Sequence, residues 1–315
     1  MPISEPKPQL SIVIPVFNEV RSVAILHGEL VSVLRRLGRP FEIIFIDDGS
    51  TDATLAELKK LSPARIVSFT RNFGKSQALQ AGFRLAQGEY IFTIDGDLQD
   101  DPAEIPNFLR LMETANWDLV CGWKQARKDS WSKRLVSKAA NVVTAFFTRV
   151  KIHDMNCGYK LYRREVATTI HLFGDMHRYI PALAATHGFR IGEIPVHHRP
   201  RTFGVSKYGN SRRFFKSFFD FVSLILLNRF MDRPMHLFGL AGFFLSGAGF
   251  ATLLYLSWVR LYLGELIGNR PLLLLGVLLM VVGLQFFFSG FLGELLIRQE
   301  SGAKKLYEIR ETFER

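Results

Sequence analysis

Short apolar runs rich in β-branched residues recur at positions 10–16, 41–46, 65–69, 90–94 and 118–122. Each is too short for a typical helix and reads as a strand buried in a sheet. Between them, residues 20–37, 51–61, 75–86 and 102–114 carry helix-like patterning. Strand and helix therefore alternate, which predicts an α/β fold with a mostly parallel sheet covered on both faces. Asp52 and Asp101 stand where helix N-termini take an oxygen acceptor. In such sheets ligands bind beyond the carboxyl ends of the strands, and candidate chemistry is sought there.

The last third of the chain has a different pattern. Residues 237–259 and 271–293 are two runs of 23 residues without a charge, each longer than the roughly 20 needed to cross a hydrocarbon core. Arg229 and Arg233 precede the first run, and Arg298, Lys304, Lys305 and Arg310 follow the second, so the positive-inside rule puts both flanks in the cytosol. Residues 131–150 and 212–231 mix basic and apolar positions in the manner of helices lying along a membrane surface. The expected organisation is a head over 1–209, an interfacial helix over 210–234, two spanning helices within 235–298 and a cytosolic tail over 299–315. Gly239-x-x-Gly242 and Gly247-x-Gly249 would permit close packing of the first span, including self-association into a homo-oligomer.

Composition changes this picture little. With 40 Lys plus Arg against 29 Asp plus Glu, the net charge of +11 favours an anionic partner, and the apolar runs make that partner lipid rather than nucleic acid. Cys121 and Cys157 offer no disulfide framework and suit a reducing compartment. The opening MPISEPKPQL lacks the apolar centre of a secretion signal, so the head is expected in the cytosol.

Three acid-bearing segments fall at the ends of predicted strands. Asp95-Gly96-Asp97-Leu98-Gln99-Asp100-Asp101 follows the fourth, Ile14-Pro15-Val16-Phe17-Asn18-Glu19 ends the first, and Asp47-Asp48-Gly49-Ser50-Thr51-Asp52 ends the second. Parallel strands bring these ends to one rim. Carboxylates there suit a hard divalent cation shared with phosphate oxygens, and acids with an aromatic such as Phe17 suit a nucleoside. Singly, each segment is equally compatible with a capped turn.

Together with RNFGKSQALQAGF, the ARKDSW segment, GVSKYG and the two apolar runs, these motifs resemble the polyprenyl-phosphate glycosyltransferases of glycosyltransferase family two. That group includes dolichyl-phosphate mannose synthase and the undecaprenyl-phosphate sugar transferases, and the resemblance covers nearly the whole chain. It implies the nucleotide-diphospho-sugar transferase fold, also called glycosyltransferase A, in a protein of the bacterial inner membrane. The implied reaction moves a sugar from a nucleotide-diphosphate sugar onto polyprenyl phosphate with inversion. A UDP-sugar is favoured by the likeness to the undecaprenyl enzymes, and GDP-mannose is the alternative.

Position by position, the resemblance implies that Pro15, Phe17, Glu19, Asp47, Asp48, Arg71 and Lys75 bind the nucleotide. It implies that Asp95, Asp97 and Gln99 surround Mg2+ or Mn2+ and the diphosphate. For the acceptor phosphate it points to Lys124, Arg127, Arg134, Ser137, Arg201 and Lys207, with Arg127, Arg201 and Lys207 placed closest to the chemistry. Trp123 departs from the small or polar residue usual in relatives, and Lys124 replaces a frequent Arg without its two-pronged geometry. Asp154 to Lys160 matches the family's acceptor-side loop and His177-Arg178-Tyr179 the following helix; His177, His187, His197 and His198 match no metal-site spacing.

Two other readings compete. A processive polysaccharide synthase would share the head, but its Gln-x-x-Arg-Trp motif has no counterpart because no Arg-Trp pair occurs. A non-catalytic membrane accessory protein would explain the apolar runs and leave the acidic loops without a role.

Overall fold

The predicted strands form the sheet of the head almost residue for residue: β1 Leu10–Val16, β2 Phe41–Asp47, β3 Arg65–Phe69, β4 Tyr90–Thr93 and β5 Leu119–Lys124. The structure, a computed structural model, describes residues 7–124, 152–200, 235–268, 271–299 and 309–314. Among these, three further strands were not expected: β6 Lys160–Arg163, β7 Ile191–Val196 and β8 Ile309–Glu314. The sheet order is β7-β5-β6-β4-β1-β2-β3-β8. β1 runs parallel to β2 and β4, β2 to β3, and β5 to β7. β6 is antiparallel to β4 and β5, and β8 is antiparallel to β3.

This mixed topology concentrates the rim. β1, β2, β4, β5 and β7 end there, while the antiparallel β6 begins there, with Lys160 opposite both Thr93 and Cys121. The loop before β6 therefore joins the loops after the parallel strands. β1 to β5 are apolar and almost wholly buried, as strands covered on both faces require.

The helices of the head are α1 Val23–Leu37, α2 Thr54–Leu58, α3 Lys75–Leu85, α4 Ile105–Ala115, α5 Arg164–Thr169 and α6 Ile180–Thr186. Three expected helix starts shift inward by about a turn, while α3 begins at Lys75 as expected. Asp101 caps the short helical turn Pro102–Glu104, accepting from Ala103 N at 2.9 Å, and Asp52, one residue ahead of the N-cap of α2, accepts from Thr54 N at 2.9 Å. On one face, Phe92, Phe108 and Tyr159 pack edge to face with ring centroids 4.8–5.1 Å apart. This aromatic cluster pins β4, α4 and the loop before β6 together directly beneath the rim.

The chain divides into two units, residues 1–220 with 305–315, and residues 221–304. The tail, expected over 299–315, supplies β8 to the head's sheet. Nothing in its composition marks it as a strand, because its pairing partner β3 is supplied by residues 65–69 at the other end of the chain. The second unit holds α7 Leu240–Tyr262, preceded by a π-helical turn at Met235–Gly239, and α8 Pro271–Gln299. Met235–Tyr262 and Pro271–Gly293 are long and apolar enough to cross a membrane, with mean hydropathies of 1.8 and 2.5. Large apolar side chains such as Phe243 and Leu274 face outward along both. Gly242 and Gly249 face the backbone of α8, whereas Gly247 has open space around it. Close packing by these glycines thus occurs within the hairpin of one chain. The two expected interfacial helices lie outside the described residues.

Candidate active site

The loop after β1 is tied to the loop after β2. Asn18, at a left-handed φ of 55°, donates from its backbone N to Ser50 Oγ at 2.9 Å, and its side-chain Oδ1 accepts from Thr51 N at 2.8 Å. Glu19 N donates to Thr54 Oγ1 at 2.9 Å, and the Glu19 carboxylate accepts from Ser22 Oγ at 2.9 Å. Pro15, Phe17 and Glu19 remain half-buried and line the rim.

The adjacent Asp47 and Asp48 separate in role. Asp47 is buried inside the sheet, accepting from Ser68 Oγ at 2.8 Å and from Ser50 N at 3.1 Å. Asp47, expected at the nucleotide, stands at the end of β2 with its side chain turned towards β3. Asp48 accepts from Phe73 N at 2.7 Å and Gly74 N at 2.9 Å, fixing the loop that enters α3. Burial pushes the Asp48 carboxyl up to about 6 despite those two N–H donors. Gly49, at φ 68°, packs so closely on the backbone of Arg71 that a Cβ there would overlap it. Arg71 lies exposed over the Phe73 ring, 4.6 Å from its centroid.

Lys75, the first residue of α3, reaches across to Asp95, Nζ to Oδ1 at 2.5 Å. Burial alone would raise the Asp95 carboxyl, but the ammonium groups of Lys75 and Lys124 outweigh it and hold it at about 2. The expectation of Lys75 at the nucleotide thus meets a lysine already paired with the first acid of the fourth-strand turn. Gly158 is required beside this pair, because a Cβ there would come within 2.8 Å of both Asp95 oxygens.

The turn continues with Asp97, half-buried, whose Oδ1 accepts from Gln99 N at 3.2 Å. Gln99 Nε2 lies 3.3 Å from His198 Nε2. Asp97 and Gln99 thus present oxygen-bearing side chains at the rim. Among the described residues, no three carboxylate, cysteine or histidine side chains gather as a ready-made ion site.

Lys124, expected at the acceptor phosphate, has a carboxylate partner. Its ammonium is buried 2.7 Å from Asp100 Oδ1, with side-chain exposures of 7% and 1%. Burial opposes its charge, yet Asp100 raises its pKa on balance, so the lysine is spent on an internal pair. Arg199 is also committed, to Glu29 at 2.8 Å and Asp101 at 2.7 Å. Arg127, Arg134, Ser137, Arg201 and Lys207 lie outside the described residues. Trp123, the departure from the family pattern, stacks on His153 with centroids 4.1 Å apart, and His153 Nδ1 lies 2.7 Å from Glu193.

His177 enters the site on a helical turn, its Nδ1 3.0 Å from Ser76 Oγ. Burial and the neighbouring Lys75 lower it to about 3, so its imidazole is neutral at physiological pH. Burial raises the Cys121 and Cys157 thiols to about 12 and about 11, which removes both as nucleophiles. Sequence reasoning noted Asp100, Lys160, His198 and Arg199 within their segments but not the partners the fold gives them. Lys160 is buried and donates to the Cys157 carbonyl. Their contacts span up to 170 positions, as for Arg199 and Glu29, and no local pattern signals such pairings.

Residues 11–170 match the family model described as glycosyl transferase family 2. The chain belongs to that family. Within the glycosyl transferase 2 family, it is 39% identical to the dodecaprenyl-phosphate galacturonate synthase of Rhizobium johnstonii, over 97% of this chain and 93% of that relative. It is 34% identical to the undecaprenyl-phosphate 4-deoxy-4-formamido-L-arabinose transferase of Pectobacterium carotovorum, over 96% of this chain and 93% of that one. Both relatives are polyprenyl-phosphate glycosyltransferases by name. The fold also matches glucosyl-3-phosphoglycerate synthase from Mycobacterium tuberculosis, solved with Mg2+ and uridine diphosphate. The TM-score is 0.55 at 19% identity, covering 70% of this chain and 79% of that one. The expected glycosyltransferase A architecture is thereby borne out.

Proposed function

We propose that this glycosyltransferase moves a sugar from a UDP-sugar to polyprenyl phosphate at the cytosolic membrane face, in one inverting displacement assisted by Mg2+ or Mn2+. The observation that carries the reading is the convergence of the loops after β1, β2 and β4 with the start of β6 on one rim, where Asp97 and Gln99 follow the Asp95–Lys75 pair on the same turn. The names of its two relatives support the acceptor class. The apolar helices and their basic flanks support the membrane setting and its cytosolic side.

The donor set fits a hard cation. Mg2+ is held by one or two carboxylates together with substrate phosphates and water, and does not need an all-protein cage. Asp97 would supply a carboxylate and Gln99 a carbonyl oxygen, with Asp95 behind them holding Lys75 at the rim. When bound, the ion neutralises charge that develops on the leaving diphosphate.

Pro15, Phe17, Glu19 and Asp48 would form the nucleoside side of the site, with Arg71 over its open edge. Arg127, Arg134, Ser137, Arg201 and Lys207 would receive the acceptor phosphate. A phosphate monoester has a second pKa of about 6 and is largely ionised at neutral pH, so the nucleophile needs no strong base. The lipid phosphate oxygen forms a bond to the anomeric carbon as the bond to the β-phosphate oxygen breaks, its electron pair leaving on UDP. The protein's part is to align the two phosphates and compensate their charge.

The test is incubation of the full chain in detergent with radiolabelled UDP-sugars, Mn2+ and polyprenyl phosphate. Label in an organic-extractable, acid-labile lipid supports the reading. Insoluble polymer would indicate a processive synthase, and absence of transfer from every nucleotide sugar would overturn the assignment.

A further inference from the structure

The turn over 95–101 contains Leu98 at φ 65°, a left-handed conformation held by a buried, side-chain-bearing residue. Such conformations persist where the surroundings over-determine them. Here the support comes from His198 and Arg199, the second and third residues after β7. His198 forms a β-bridge with Asp100, and Arg199 N donates to the Gln99 carbonyl at 2.8 Å. The Arg199 fork then spans two elements, with Nη2 2.7 Å from Asp101 Oδ1 on the turn and Nη1 2.8 Å from Glu29 Oε2 on α1.

His198 also flanks the amide of Gln99. Its Nδ1 lies 3.7 Å from the buried Asp100 carboxylate and its Nε2 3.3 Å from Gln99 Nε2. With the Gln99 amide nitrogen on that side, its carbonyl oxygen, the atom able to bind a hard cation, is turned the other way.

We infer that Arg199 is a positioning residue, clamping the 95–101 turn to α1 so that Asp97 and the Gln99 carbonyl are preformed for the divalent cation. The inference rests on the proposed metal-dependent reading. Arg199 touches neither donor nor acceptor in this role; it acts through Asp101 and the backbone of Gln99.

The test is Mn2+ binding to the full chain in detergent with UDP present, followed by electron paramagnetic resonance, alongside thermal unfolding. Arg199→Ala is expected to weaken Mn2+ binding roughly 10-fold, the usual scale for loss of an outer-shell support. Arg199→Lys, reaching one carboxylate at a time, falls between that variant and wild type. Glu29→Ala, on α1 and away from the turn, shifts affinity in the same direction by less, and adding it to Arg199→Ala causes little further loss because the two share one contact. Unchanged Mn2+ affinity in Arg199→Ala, with only a lower melting temperature, would reduce Arg199 to a stabilising residue and overturn the inference. Absence of Mn2+ binding by the wild-type chain would instead bring down the metal-dependent reading, and the inference with it.

Discussion

Lys75 and Asp95 sit 2.5 Å apart at the centre of the rim, and each determines the other's charge. The folded Asp95 carboxyl titrates at about 2, below its ordinary value of 3.8. Its contribution to stability is therefore present above about 4 and is lost as pH falls from there towards 2. Asp48 has the opposite sign: raised to about 6, its contribution is present below its ordinary 3.8 and is lost as pH rises through 6. Lys75→Met removes the nearest cation and leaves burial less opposed, so the Asp95 titration moves upward. The wild-type kcat/KM for donor should show no Asp95 limb above pH 4, whereas that of Lys75→Met should fall as pH drops towards 4; identical profiles would show that Asp95 ionisation does not govern turnover. Asp97→Asn should reduce metal-dependent transfer by at least about 100-fold, with melting temperature and membrane association retained, and residual wild-type turnover would remove Asp97 from the ion site. The acids themselves were legible because turn residues after a predicted strand are local features. The split between Asp47 and Asp48 was not, because it depends on Ser68 in β3 and on the N–H groups of Phe73 and Gly74.

Among the elements, the apolar hairpin and β8 carry the clearest tests. A Cβ at Gly283 would lie 2.5 Å from Ser246 N and 2.8 Å from the Gly242 carbonyl, so Gly283→Leu must drive α7 and α8 apart. Such backbone approach is how apolar helices pack where no hydrophobic effect draws them together. Gly283→Leu should lower the yield of folded protein in membranes and expose the hairpin to protease. Gly247→Leu, into open space, should do neither, and equal behaviour of the two would contradict the packing. β8 covers the edge of β3, with Phe69 opposite Ile309 immediately before the loop that carries Arg71. Ending the chain at 308 exposes that edge, a recognised route to strand-to-strand association. It should lower the melting temperature by roughly 2–4 °C for each kcal/mol lost in a domain of this size. Hydrogen exchange should accelerate in β3; unaltered exchange there would show that β8 is dispensable. The spans were readable because length and apolarity are properties of one segment. β8 was not, because a strand of mixed polarity becomes a strand through a partner.

Across the whole molecule, the head is assembled from chain on both sides of the hairpin, residues 1–220 and 305–315. β8 is paired to the head's sheet although it follows the hairpin in the chain. Joining residue 220 to residue 305 through a short flexible linker should preserve the head and UDP binding while abolishing transfer to polyprenyl phosphate. Loss of UDP binding would show that the head depends on the hairpin for its fold. The sequence by itself determined the alternation of strands and helices, the acid-bearing strand ends, the apolar runs and the family, because each resides in local periodicity or in a contiguous motif. Tertiary structure alone decided that Lys124 is consumed by Asp100, that Arg199 clamps Asp101 to Glu29, and that the antiparallel β6 brings its first residue to the rim. Basic side chains look alike along a chain; which of them meets a buried acid and which meets a phosphate is settled by contacts between residues distant in sequence.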